Sequence, residues 1–188
     1  MSAAGKKALR AAVRGRIAAL PPGYTRDASA AVCTCLRALE AYKSAGTVFC
    51  FVGTPGEIDT RTFLAGVLAD GKRLCVPVCE KGGAMTARCV CSLAELAPGL
   101  WGIPEPPAAA QEIMPQDIDL CVAPCLAADL QKRRLGQGGG YYDRFLPRLR
   151  PGAVSALVCR EKLLLPAVPV EPHDAVCTLL VTEARVVT

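Results

Sequence analysis

Five short runs of this chain are apolar almost without interruption: TVFCFV (47–52), RLCVPVC (73–79), IDLCVAP (118–124), AVSALVC (153–159) and AVCTLLVT (175–182). A strand with one wet face would alternate polar and apolar residues, so runs like these call for burial on both sides. Helical patterns fall among them. Residues 4–20 place Leu9, Val13, Ile17 and Leu20 on one face, with Lys6, Arg10 and Arg14 as a separate stripe, and Pro21-Pro22-Gly23 stops the helix. A second helix has Thr25 as its cap, turns Val32, Leu36 and Leu39 inward and closes at Ala45-Gly46. A third is capped by Asp59 within DTRTFLAGVLAD (59–70). AMTARCVC (84–91) pairs near the second strand, residues 98–117 form a Pro- and Gly-rich surface excursion, and YYDRFLPRLR begins a short helix. Strands alternating with helices predict an α/β fold, a three-layer α/β/α sandwich with a mostly parallel central sheet, in one domain spanning residues 1–188. Ligands of such sheets bind beyond the carboxyl ends of the strands.

Composition then narrows the setting. No apolar run approaches the roughly 20 residues that cross a bilayer, and the N-terminal stretch lacks the apolar block of a signal peptide. The 11 cysteines contain no C-x-x-C pair and mostly sit inside apolar runs, which suits buried thiols in a reducing cytoplasm rather than a disulfide or zinc framework. The formal net charge is +5, and 11 of the 22 Lys and Arg residues fall in two segments, 6–16 and 130–150, so an anionic partner is expected. Nucleic acid is a poor fit, because aromatic residues are only 5% and no nucleic-acid motif is present.

RLGQGGGYYDR (134–144) is the densest candidate site. Consecutive glycines let backbone N–H groups turn toward an anion, and a following helix adds its positive end. The spacing matches neither the P-loop nor the dinucleotide fingerprint, and a plain turn before a helix is the competing reading. Asp143 suits Mg²⁺ beside a phosphate cradle, or else caps the helix or pairs with Arg144. Glu57, just after the first strand, is placed to grip a ligand's N–H groups or is a solvated loop acid. Trp101 offers a ring for stacking or anchors its loop, and Tyr141 and Tyr142 offer one ring to a ligand and one to the core. Asp174, in EPHDAV, is a second metal candidate, whereas His173 reads as structural.

RLGQGGGYYDRFL, together with KKALR, GEIDT, WGIPEP, DLCVAP and HDAV in that order, closely resembles the 5-formyltetrahydrofolate cyclo-ligases, also called methenyltetrahydrofolate synthetases. The resemblance spans nearly the whole chain. It implies a cytoplasmic, monomeric ligase that uses ATP and Mg²⁺ to convert 5-formyltetrahydrofolate to 5,10-methenyltetrahydrofolate. The formyl oxygen would take the γ-phosphate, and the neighbouring folate nitrogen would then close the ring with loss of phosphate. Carried over by motif, Lys6, Lys7, Arg10, Arg134, Leu135, Gly136, Gln137, Gly138, Gly139, Gly140 and Tyr142 would bind ATP. Glu57, Trp101 and Tyr141 would hold the folate, Tyr141 and Arg134 would serve catalysis, and Asp143 and Asp174 would bind the metal. The chain departs from the family pattern at Ala87, Cys125, Ala128, Lys132 and Gln137. These departures motivate the alternative of a catalytically altered nucleotide-binding protein on the same scaffold.

Overall fold

A computed structural model describes residues 3–188, and their side chains from residue 5 onward. An eight-stranded sheet runs through the molecule. Its strands, in chain order, are β1 (Thr47–Cys50), β2 (Arg73–Cys79), β3 (Met85–Val90), β4 (Glu112–Ile113), β5 (Leu120–Ala123), β6 (Val154–Val158), β7 (Leu179–Val181) and β8 (Val186–Val187). The spatial order is β8-β7-β6-β5-β1-β2-β3-β4. Strands β2, β1, β5, β6 and β7 are parallel, and β8, β3 and β4 add antiparallel edges. The apolar runs are therefore the buried centre. β1 and β5 have no exposed residue.

Helices cover both faces. Along β1 the side chains alternate: Val48 and Cys50 face the cluster that includes Val32 and Leu36 of α2 (Tyr24–Ala38) and Phe63, Leu64 and Val67 of α4 (Arg61–Ala69). Phe49 faces the opposite cluster and stacks on Phe145 of α5 (Tyr141–Phe145), ring centroids 4.7 Å apart. The first helix, α1 (Ala3–Ala18), lies farther out. Its buried Val13 packs on Leu126, Ala127, Leu135 and Val168, so it sits on a small ladder formed by Ala127–Ala128 and Arg134–Leu135. The three layers expected from the sequence are present.

Several local expectations are corrected. Thr25 does not cap α2; Gly23, at φ +80°, takes the cap position without a side-chain bond, and the helix starts two residues earlier, straight after the Pro21-Pro22 turn. That helix also stops at Ala38, where extended Leu39 hands over to a separate turn, α3 (Glu40–Ser44). At α4 the cap position belongs to Thr60, while Asp59 Oδ1 accepts the Arg61 N–H at 3.0 Å. The Pro-rich excursion is not all surface: β4 pairs with β3, and Ile113 and Pro115 are buried. The thiols are all free, but only six are buried; Cys35, Cys79, Cys89 and Cys125 are half-buried and Cys91 is exposed.

Candidate active site

From β1 the chain proceeds to β2 on one side, while β5 lies on the other, so the sheet's direction of growth reverses between β1 and β5. Crevices open at such switch points. Here the crevice is a cleft of about 700 Å³, floored by Phe51 and Val52 beyond β1 and by Pro124 and Cys125 beyond β5. Toward the β2–β3 side it is walled by Thr54, Glu57, Pro77, Cys79, Met85, Trp101 and Ile103. Toward the β6–β7 side stand Lys6 and Arg10 of α1, the 134–140 segment, and Glu171, His173 and Asp174.

The glycine loop is shaped by close approach. Gly138 has φ +110°, and a Cβ at Gly139 would lie 2.7 Å from the Tyr141 ring. Arg10 Nε donates to Gly136 O at 2.8 Å and Arg14 Nη2 donates to Gln137 Oε1 at 2.9 Å, so α1 braces the loop. α5 clasps the other wall: Tyr141 Oη donates to Glu80 O at 3.0 Å and Arg144 Nε to Gly83 O at 2.9 Å. The pairing of Asp143 with Arg144 weighed from the sequence is not formed. Asp143 instead pairs with Arg134, which also donates to Ala175 O, and Asp143 Oδ1 accepts the Ala175 N–H.

Lys6 is nearly buried and bridges two acids, Glu171 Oε2 at 2.8 Å and Asp174 Oδ2 at 2.5 Å. Burial works against its ammonium, yet the hydrogen bonds to Asp174 and Glu171 outweigh it and the pKa rises. Burial likewise disfavours the Asp174 carboxylate, but Lys6 and the Glu171 N–H bring its pKa below the ordinary value. For Glu171 the Lys6 hydrogen bond comes first, and its pKa is also lowered. Single donor atoms of Glu171, His173 and Asp174 lie within 4.8 Å of one another. Carboxylate oxygens of this kind suit Mg²⁺. Asp174 belongs to this cluster, whereas Asp143 does not, and both acids are engaged, Asp174 by Lys6 and Asp143 by Arg134.

The sequence-derived residues gather with few exceptions. Lys6, Arg10, Arg134, Leu135, Gly136, Gln137, Gly138, Gly139, Gly140, Tyr141, Tyr142, Asp143, Asp174, Glu57 and Trp101 all line the cleft. Lys7 does not; it is exposed, a third of a turn around α1 from Lys6. The Tyr142 hydroxyl is buried and has no partner among the described residues, and burial holds its pKa well above normal. Trp101 is 74% exposed and sits at φ +62°, an uncommon backbone for a bulky residue and one that tends to mark functional sites. Sequence reasoning missed Glu171, Pro77, Cys79, Met85 and Ile103, and it read His173 as merely structural. Of the unusual residues, Cys125 and Gln137 line the cleft, whereas Ala87 and Ala128 are in the core and Lys132 makes a tight turn at φ +63°.

Fold and cleft first define a class: a three-layer α/β protein with a bipartite cleft at its switch point, lined by a glycine loop and ion-paired charges on one side and largely apolar on the other. A family model described as the 5-formyltetrahydrofolate cyclo-ligase family matches residues 2–183, and the chain belongs to that family of ligase-class enzymes. The 5-formyltetrahydrofolate cyclo-ligase of Mycolicibacterium smegmatis is 30% identical, covering 98% of this chain and 97% of the relative. That of Escherichia coli is 27% identical over 93% and 98%. The solved 5,10-methenyltetrahydrofolate synthetase of Aquifex aeolicus superposes with TM-score 0.84 at 31% identity, covering 96% of this chain and 91% of its own. The synthetase of Mycoplasma pneumoniae, at 18% identity and TM-score 0.77, shares the fold.

Proposed function

We propose that this chain converts 5-formyltetrahydrofolate to 5,10-methenyltetrahydrofolate at the expense of ATP, with Mg²⁺ as the metal. The observation that carries the reading is the meeting, in one cleft, of a glycine loop ringed by Lys6, Arg10 and Arg134 with Glu57, Trp101 and Tyr141. The glycine-loop wall accommodates the polyphosphate: loop N–H groups and Arg10 supply positive charge where phosphoryl transfer needs it, and Lys6 and Arg134 add theirs once phosphate takes the place of their carboxylate partners. The apolar wall accommodates the folate. The Trp101 ring is exposed for stacking and Glu57 can accept N–H groups of the pterin. Tyr141 is held on the glycine loop and tethered to Glu80 O, which sets its ring where the two ligands would meet.

In the step that follows, the formyl oxygen bonds to the γ-phosphorus while the bond from that phosphorus to ADP breaks. The neighbouring folate nitrogen then attacks the activated carbon, loses its proton, and inorganic phosphate departs. Asp143 and Asp174 would hold Mg²⁺, which when bound would neutralise phosphate charge. The chain's own residues supply positioning, which accounts for much of the barrier lowering in reactions of this kind. Mixing the protein with 5-formyltetrahydrofolate, ATP and Mg²⁺ should raise the near-ultraviolet absorbance of the conjugated methenyl product. A folded protein that gives no rise refutes the reading. Cys125 and Gln137 line the cleft at family-atypical positions and support a second reading, nucleotide binding with altered chemistry. Calorimetry showing ATP binding without folate binding would favour it.

A further inference from the structure

Beyond the carboxyl end of β6, Arg160 is 3% exposed and forms no salt bridge with a described residue. A buried guanidinium without a carboxylate is costly and calls for an explanation. Its hydrogen bonds go to backbone: Nη1 donates to Gly56 O at 2.7 Å and Nη2 to Glu57 O, while Nε is buried with no partner among the described residues. Burial lowers its pKa. In the sheet, β5 separates β6 from β1, so the side chain reaches past the end of β5 to the loop that follows β1. That loop is a tight turn. Gly56 has φ +93°, Glu57 N donates to Thr54 O at 2.9 Å, and Glu57 Oε2 accepts from Thr54 N at 3.1 Å and Thr54 Oγ1 at 2.7 Å.

The turn is thus closed on itself by Thr54 and tied to the rest of the molecule by Arg160. Two adjacent carbonyls drawn to one planar fork fix the orientation of the peptide that carries the Glu57 side chain. Among the described residues no other hydrogen bond ties Gly56 or Glu57 to the rest of the molecule. We propose that Arg160 is the positioning residue of the substrate loop: it aims the Glu57 carboxylate into the cleft without itself lining it. The proposal rests on the reading of Glu57 as the residue that holds the pterin.

The test separates substrate positioning from general support. Arg160→Lys keeps a charge and one donor direction, and Arg160→Gln keeps neither charge nor fork. For both, KM for 5-formyltetrahydrofolate should rise on the order of tenfold, more for Gln, while KM for ATP stays within about twofold. On a Glu57→Gln background the same substitutions should add less than about twofold, because the carboxylate they aim is already gone. Amide exchange at residues 53–58 should accelerate in both variants. An equal rise in both KM values, unchanged KM values, or unaltered exchange at 53–58 would overturn the proposal. If the wild-type protein itself turns over no folate, the cyclo-ligase reading fails, and the exchange of residues 53–58 still decides whether Arg160 holds the loop.

Discussion

At Gly139 a methyl group has no room, since its Cβ would meet Cε2 of Tyr141 at 2.7 Å. Gly139→Ala should push the Tyr141 ring off the loop and loosen its bond to Glu80 O. We expect turnover to fall about 100-fold, measured as kcat/KM, with the melting temperature little changed, because the loop is exposed. Asp143 is as local but tests different chemistry. Asp143→Ala leaves the Arg134 guanidinium without its carboxylate and removes a proposed metal ligand, so turnover should drop about 100-fold or more, and extra Mg²⁺ should not restore it; full activity would remove Asp143 from the site. Lys132 is a strained residue that shows no contact with the cleft. With φ +63° it occupies backbone that glycine adopts at no steric cost, closing a turn onto Asp129 O. Lys132→Gly should stabilise the protein by about 0.5–1 kcal/mol, seen as a higher denaturant midpoint.

Among the elements, α1 carries the clearest pH signature. Glu171 and Asp174 have lowered pKa values, so their pairing with Lys6 is intact above the ordinary carboxylate range and is lost as pH falls through the lowered values. Lys6 is raised, so its contribution is complete below its ordinary value of 10.5 and is lost as pH climbs beyond it. The seating of α1 should therefore be firmest between about pH 5 and 10. Urea midpoints of the wild-type protein should form a plateau there and decline below about pH 4, and Lys6→Met should flatten that decline. Equal acid sensitivity in both proteins would contradict it. The elements also show what a sequence conveys. β1, β2, β5 and β6 were legible because unbroken apolar runs bounded by turns have few other uses. The short edge strand β4 was not, since two residues in a Pro-rich stretch carry no period. The break at Leu39 was hidden because the apolar period continues across it. Arg160 escaped notice for a related reason: a charged residue at a strand end reads as solvent-exposed, and only the tertiary structure shows that it turns inward.

For the molecule as a whole, the cleft unites residues that the sequence spreads widely, and its single tryptophan makes the union measurable. Trp101 is 74% exposed at the apolar wall, so 5-formyltetrahydrofolate should quench or blue-shift its emission, while ATP alone should leave it nearly unchanged. A response to ATP equal to that for folate would mean the two walls are assigned the wrong way round. The glycine loop, Glu57 and Trp101 could be picked out one by one because each residue type is unusual in its setting. Their assembly with Glu171 could not, because no spacing rule links the first helix to a segment so far along the chain.

Lys6 and Asp174 are 168 positions apart, and their ion pair joins the first helix to the segment leading into β7. A contact of such long range has a large closure cost and forms only after much of the intervening chain is in place. The sheet could therefore assemble with its apolar wall complete while the phosphate wall still lacks α1. On the proposed assignment of the two walls, a partly folded chain would then meet folate before nucleotide, and nucleotide binding would report that α1 is seated.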